Sequence, residues 1–553
     1  MKKLLLFTFM ASLAWTNISH AKFACQPDFK LKGLTKNLKS TINKTPTKFS
    51  NDCKPIKKSH GFLFGKKQIS NNKFVDQKDS LRKNFKMEVD GNEIRLDGTG
   101  RVGMGRNDNP AHLIDNAKTY IKTLKAMERK KLLSGQVKVA PWSDDYWAIA
   151  KGILAYRYAD KKVRDKTDEV DDHGSMDDIW KVLFDFMQTK SLLPGYYVLN
   201  HNIDVLSPSE KYDLLVGDKD YSLTKYMWEE GRSYYERYKK VESWMGICHG
   251  WAPAAYMLPR PTKSVTVTAV DGVTKIKFTP ADIKALGSQL WAAGQADTKF
   301  IGGRCNAKAP RADENGRFLD PDCLDTNAGT WHLSVVNQIG IAKRSMVMDA
   351  TFDYEVWNHP ITSYNYRYFN PITEQYVDTL AEAQVLRADF KKDKFKKYRE
   401  KGTKYIAGIV MEVKYVVETR PEAIDFDHEG RDAHHTVHYT YDLELSDRGS
   451  IIGGEWYLNR HPDFLWTPPK RTKAMSMYDD YLEGEWDPAR QAFPKEWARF
   501  APQIKEIDSR GQVNYYTGAS ERGQPFGKAV RALFKYASKK SGGTLRRGLS
   551  GQE

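Results

Sequence analysis

The residue best placed for covalent chemistry is Cys248, in the stretch Trp244-Met-Gly-Ile-Cys248-His-Gly-Trp251-Ala-Pro-Ala-Ala. Gly246 relieves crowding on the approach, and the Ala-rich continuation predicts a helix beginning near the thiol; Pro253 fits best if the helix proper starts near Trp251. Unsatisfied N–H groups and the dipole at a helix start favour a thiolate, so the Cys248 thiol is expected to titrate below the ~8.5 of a free cysteine. The same N–H groups can receive an oxyanion in acyl transfer. A thiolate nucleophile needs an imidazole base, and the base needs an orienting carboxylate. His249 adjoins the thiol, so its ring points elsewhere. His332 stands at the head of Trp331-His-Leu-Ser-Val-Val-Asn-Gln, which reads as a strand over Leu333 to Ala342. Asp349 follows 17 residues later, at the end of a second strand over Ser345 to Ala350. Were these strands antiparallel neighbours, His332 and Asp349 would meet within hydrogen-bond reach at one end of a sheet. Singly, each residue has a plainer reading: a buried structural cysteine, a core histidine, a strand-end cap. Together they read as a Cys248–His332–Asp349 triad.

Other clusters carry less. His428, His434, His435 and His438 lie among Asp425, Asp427, Glu429 and Asp432, a composition that can bind zinc. No cysteine ligand or HExxH helix supports a metal, and a solvated loop beside a strand is the simpler reading. Asp144 and Asp145, between Trp142 and Trp147, read as a substrate-side acidic pair, a cation site or, more simply, a helix start. The acidic run Asp165 to Asp178 reads as a cation site or, more simply, as a solvated loop.

These residues need elements to hold them. The 553-residue chain is 40% hydrophobic and 12% aromatic, ample for real cores and against general disorder. Apolar residues at helical spacing predict helices over Trp147 to Tyr158, Met176 to Met187 and Leu223 to Val241. Beyond Cys248 the pattern alternates: Val265 to Val270 and Val273 to Phe278 form a hairpin about Asp271-Gly272, and Thr279-Pro280 opens a helix to about Trp291. Ala407 to Glu418, His434 to Leu445 and Ile451 to Leu458 predict a second antiparallel unit. Helices followed by strands indicate an α+β chain. A net charge of +17, with lysines dispersed, suits a solvated surface with some attraction to acidic cell-surface polymers. No nucleic-acid-binding motif is present. No stretch reads as a transmembrane segment.

Residues 1–21 have a basic start at Lys2 and Lys3, an apolar stretch and small residues at Ser19 and Ala21, the pattern of a cleaved export signal. Secretion, or delivery to a periplasm, favours disulfides, and short loop closure would pair Cys25 with Cys53 and Cys305 with Cys323, leaving Cys248 free.

The stretch Trp244 to Pro253, Phe278-Thr-Pro-Ala-Asp-Ile-Lys-Ala-Leu, and Met348-Asp349-Ala-Thr with Glu355-Val-Trp-Asn-His-Pro resemble the transglutaminase elicitor family. So do Ser207-Pro-Ser-Glu-Lys-Tyr, Gly453-Gly-Glu-Trp and His461-Pro-Asp-Phe-Leu-Trp, so the resemblance spans roughly residues 140 to 470. It implies a secreted protein-glutamine gamma-glutamyltransferase on a papain-like cysteine fold, with Cys248 as nucleophile and protein glutamine and lysine side chains as substrates. The chain is thus laid out as signal peptide 1–21, basic extension or pro-region 22–135, catalytic core 136–400, β-rich unit 401–475 completing the resemblance and C-terminal extension 476–553 with a frayed end; the stretches before about 135 and after about 475 lie outside the resemblance. Glu242 stands where papain-like enzymes place the oxyanion glutamine, and an ionised carboxylate only accepts. The indole of Trp244 is the substitute donor the resemblance offers; Trp251 and Trp331, which flank the nucleophile and base in sequence, read either as walls against water or, more simply, as core residues. Calcium is the one cofactor it brings, although no twelve-residue calcium loop is present. A peptidase or amidase using the same triad with water as acceptor is the alternative; a non-catalytic adhesin on the same fold is less consistent with Cys248, His332 and Asp349 all being present.

Overall fold

The computed structural model describes residues 108–538, apart from 174–178, 188–201, 306, 316, 320–322, 324–325, 353, 458–460, 501–502, 508–512 and 518–522. The export signal, Cys25, Cys53 and the tail after Ser538 therefore lie outside the described residues.

Helices form where apolar spacing and capping chemistry agree. In chain order they include α1 (Leu124–Arg129), α2 (Lys161–His173), α3 (Ile179–Phe186), α4 (Pro208–Val216), α5 (Ser222–Tyr238), α6 (Cys248–Met257), α7 (Pro280–Ala293), α8 (Ala328–Val335) and α9 (Gly527–Ala537). Thr279 and Asp282 form a capping box that starts α7, with Pro280 in the first turn, as the sequence predicts. Trp147 to Tyr158 is not the expected helix: it breaks into two 3-10 turns around Gly152, which adopts φ 85°. Helix α6 begins at Cys248 itself and carries Pro253 inside it, so the helix starts earlier than the proline suggested. It crosses α7 at Gly250, where a Cβ would lie 2.1 Å from the Ser288 carbonyl oxygen; only glycine permits that approach.

The strands make one ten-stranded antiparallel sheet. Its main order is β11 (Ile451–Trp456), β10 (Ala433–Leu445), β9 (Tyr405–Val417), β6 (Asn358–Phe369), β5 (Val347–Asp349), β12 (Phe464–Thr467), β4 (Lys299–Gly302). Short strands β1 (Ser134–Gln136) and β7 (Tyr376–Val377) pair with β6, and β8 (Gln384–Leu386) with β9. The predicted hairpin forms separately as β2 (Val265–Thr268) and β3 (Lys275–Phe278).

Four expectations change. The β-rich stretch 401–475 is not an added unit, because the twelve-residue β6 pairs with β5 on one side and β9 on the other, making one sheet. Residues 108–135 do not stand apart as an extension: Leu113, Leu124 and Met127 are fully buried in the sheet core. Nor is the C-terminal stretch an extension, since Phe526, Val530, Leu533 and Phe534 fill the helical core. Most importantly, Leu333 to Ala342 is not a strand. Asn327 caps α8 by accepting from the Gly329 N–H at 2.8 Å, and the helix runs on into a π-helical turn over Val336–Ile341. A short run buried on all sides has the same apolar pattern as helix or strand, so periodicity alone misassigns it.

Candidate active site

The start of α6 faces the meeting point of β5 and β6. Cys248 is 5% exposed. Its thiol lies 3.6 Å from the Val356 carbonyl oxygen, and Asn358 Nδ2 donates to the sulfur at 3.5 Å. Trp466 Nε1, from β12, donates to Asn358 Oδ1 at 2.8 Å, which turns the amide NH₂ toward the thiol. Asp349 pairs with Asn358 across the β5–β6 ladder. Its Oδ1 accepts from Trp357 N at 3.0 Å and Thr351 Oγ1 at 2.9 Å, whereas Oδ2 is buried without a hydrogen-bond partner.

Burial controls the electrostatics here. It pushes the Cys248 thiol up to about 11; the two N–H groups of Asn358 oppose this, while the charges of Glu418 and Asp349 add to it. The expected depressed thiol is therefore reversed in this arrangement: the helix start is real, but desolvation outweighs it. Burial also raises the Asp349 carboxyl to about 7, against hydrogen bonds from Trp357 and Thr351.

His332 lies elsewhere. On α8 rather than a strand, it is fully buried, with Nδ1 2.8 Å from the Tyr441 hydroxyl and its ring against Tyr366 at 4.8 Å. Tyr366 is eight residues along β6 from Asn358, a path of about 26 Å at ~3.3 Å per residue. Nε2 of His332 has no hydrogen-bond partner, so no hydrogen bond joins it to Asp349 or Cys248. The expected strand-end meeting of His332 and Asp349 does not occur, because α8 lifts the histidine out of the sheet. Burial holds its imidazole down to about 3.

The tryptophans are also reassigned. Trp244 Nε1 donates to Glu242 Oε2 at 2.9 Å, so that N–H is committed away from an oxyanion. Trp251 and Trp331 are both fully buried. The first donates to the Trp142 carbonyl at 3.1 Å and the second packs edge-on against Tyr439, so both are core residues rather than channel walls. Asp144 accepts from Trp147 Nε1 at 2.9 Å and Ser288 Oγ at 3.1 Å, tying the chain before the 3-10 turns to α7. Asp145 accepts from the Trp147 N–H at 3.0 Å. His249 is buried on α6, and burial lowers it to about 4. Among the described residues, no group of three or more His, Cys, Asp or Glu side chains is arranged to hold a metal, the His428–His438 segment included. The disulfide Cys305–Cys323 forms as expected, and Cys248 is the free cysteine among the described residues.

Sequence reasoning missed Asn358 and Trp466. Both stand inside stretches that carried the family resemblance, but an asparagine at a strand start has no periodic signature of its own.

The fold is thus one of mixed helices and an antiparallel sheet, with a free thiol at a helix start beside the sheet's end. Residues 231–481 match the model of the transglutaminase elicitor family, which supports the resemblance read from the sequence. The crystal structure of the GP42 transglutaminase from Phytophthora sojae is similar to this chain at 18% identity, with a TM-score of 0.41, covering 64% of this chain and 87% of that one. No curated protein matches the chain.

Proposed function

We propose that this protein is a secreted transglutaminase that joins protein glutamine to primary amines through a thioester on Cys248. Sulfur gives up its proton and attacks the glutamine carboxamide carbon; the C–N bond breaks and nitrogen leaves as ammonia with that proton. A lysine amine then attacks the thioester carbon, the C–S bond breaks, and the amine's proton returns to sulfur. The observation that carries this reading is the free cysteine at the start of α6 with the Asn358 amide turned toward its sulfur. The family match over residues 231–481 supports it.

For the proton acceptor, the sequence triad offers His332 oriented by Asp349. The competing acceptor is Asp349 itself, favoured by a buried Oδ2 with no hydrogen-bond partner on the strand end beside Asn358. Export is supported by the family and by the Cys305–Cys323 disulfide. No helix among the described residues is long and apolar enough to cross a membrane.

The test is incubation of the mature protein with a labelled primary amine and a glutamine-rich protein, with and without calcium. Amine incorporation with ammonia release, absent in Cys248→Ala, is the expected result. Peptide cleavage, or deamidation with no amine incorporated under either condition, would establish the hydrolytic alternative instead.

A further inference from the structure

An acyl-transfer site needs a fixed donor for the charge that moves between sulfur and the carbonyl oxygen. Two residues that might fill this role by position do not. Glu242 only accepts, and the Trp244 indole N–H is spent on Glu242 at 2.9 Å. We propose that the Asn358 carboxamide is this donor, a further catalytic residue of the Cys248 site, and that Trp466 is the positioning residue that keeps it facing the sulfur. The proposal deepens the transglutaminase reading and rests on it for its kinetic arm.

The geometry admits one orientation of the amide. An indole N–H can only donate, so the Asn358 atom 2.8 Å from Trp466 Nε1 must be the oxygen. The NH₂ then faces Cys248 Sγ at 3.5 Å. Trp466 is fully buried in a small core with Phe300, Phe464 and Val356, and cannot rotate away without emptying that core. Asn358 is 1% exposed, so its two amide hydrogens have no bulk water to compete for them. Its backbone N–H also favours the thiolate, giving two donors from one residue. During attack the developing oxyanion forms within a bond length or two of the sulfur, and the same NH₂ can follow the charge. Desolvation opposes ionisation of this thiol most strongly, so its donors should matter more than at an exposed cysteine.

Asn358→Asp separates this role from a structural one. A carboxylate of the same shape still accepts from Trp466 but can no longer donate to sulfur. A merely structural asparagine would tolerate that change better than Asn358→Ala; a donor would not. Trp466→Phe keeps an aromatic ring, though a smaller one, and removes the N–H, freeing the amide to flip. Each variant would be measured for amine transfer and, independently, for iodoacetamide alkylation of Cys248 at about pH 9, where the rate reports thiolate fraction. We expect Asn358→Ala to lose about 10²–10³-fold in kcat with KM nearly unchanged, Asn358→Asp to lose more, and Trp466→Phe to lose about tenfold. Alkylation should slow in Asn358→Asp and Trp466→Phe. Should Asn358→Ala fail to fold, Trp466→Phe decides. A folded Trp466→Phe or Asn358→Asp protein with wild-type alkylation overturns the proposal. Wild-type protein that transfers no amine, yet shows the expected alkylation series, overturns the transglutaminase reading and leaves the donor assignment standing.

Discussion

At its first residue β6 turns an amide toward the Cys248 sulfur; eight residues on, it lays the Tyr366 ring against His332. The two ends of one strand thus meet the two leading chemical candidates in opposite ways. At the Asn358 end, polar groups converge with valence to spare: an NH₂ aimed at sulfur, and an Asp349 oxygen with no hydrogen-bond partner. At the Tyr366 end the imidazole is embedded among Tyr366, Tyr441 and the core around Trp331, with Nδ1 taken by a hydroxyl and Nε2 also without a hydrogen-bond partner, but with no thiol or amide converging on it. A titratable side chain becomes a candidate for chemistry through the groups around it, and here the carboxyl is better placed than the histidine.

The largest expected effect is at the sulfur. Cys248→Ala should remove amine incorporation by roughly 10⁴-fold or more while leaving the fold intact, measured by transfer assay and circular dichroism. The sharper comparison is Asp349→Asn against His332→Phe. With Asp349 as the proton-handling group, Asp349→Asn should cost about 10²–10⁴-fold in kcat, whereas His332→Phe should lower Tm and leave kcat of the folded fraction near wild type. The reverse order, His332→Phe nearly as inactive as Cys248→Ala, would restore the sequence triad.

How much of this was legible depended on whether the signal was local. The capping box at Thr279, the Asp271-Gly272 hairpin and the Cys305–Cys323 closure are written in a few adjacent residues, and all were readable. Cys248 stood out because pairing left it over. His332 did not fare as well, since its environment depends on whether Ala328–Val335 is helix or strand, and a wholly buried apolar run shows neither period. Asn358 and Trp466 come together only through the β6–β5–β12 order, 108 residues apart in sequence. No spacing rule reaches that far.

The two ends should also respond oppositely to pH. Burial raises the Asp349 pKa from 3.8 to about 7, so the folded state holds a proton that the unfolded chain releases. Its contribution to stability is present below about pH 4 and is lost as pH rises through about 7. Burial lowers the His332 pKa from 6.5 to about 3, so its contribution is present above about 6.5 and is lost as pH falls through about 3. Tm measured against pH should therefore fall less steeply from pH 4 to 7 in Asp349→Asn, and fall less on acidification in His332→Phe. Identical slopes in both variants and the wild type would mean that neither group titrates from the state this structure gives it.

The smallest effect belongs to the sheet's exposed face, which serves as a control for both ends of β6. His438 and Glu412 approach to 3.2 Å across the β9–β10 ladder, at 61% and 49% side-chain exposure. Water and salt screen such a pair, and cross-strand geometry adds little, so Glu412→Gln should change stability by less than about 1 kcal/mol. Because His428, His434, His435 and His438 do not converge with acidic side chains into a metal-holding group, added zinc should leave Tm unchanged in both the wild type and Glu412→Gln. A zinc-dependent rise of several degrees, abolished by His438→Ala, would show that this face gathers ligands the sheet holds apart, and would revive the metal reading of the histidine cluster.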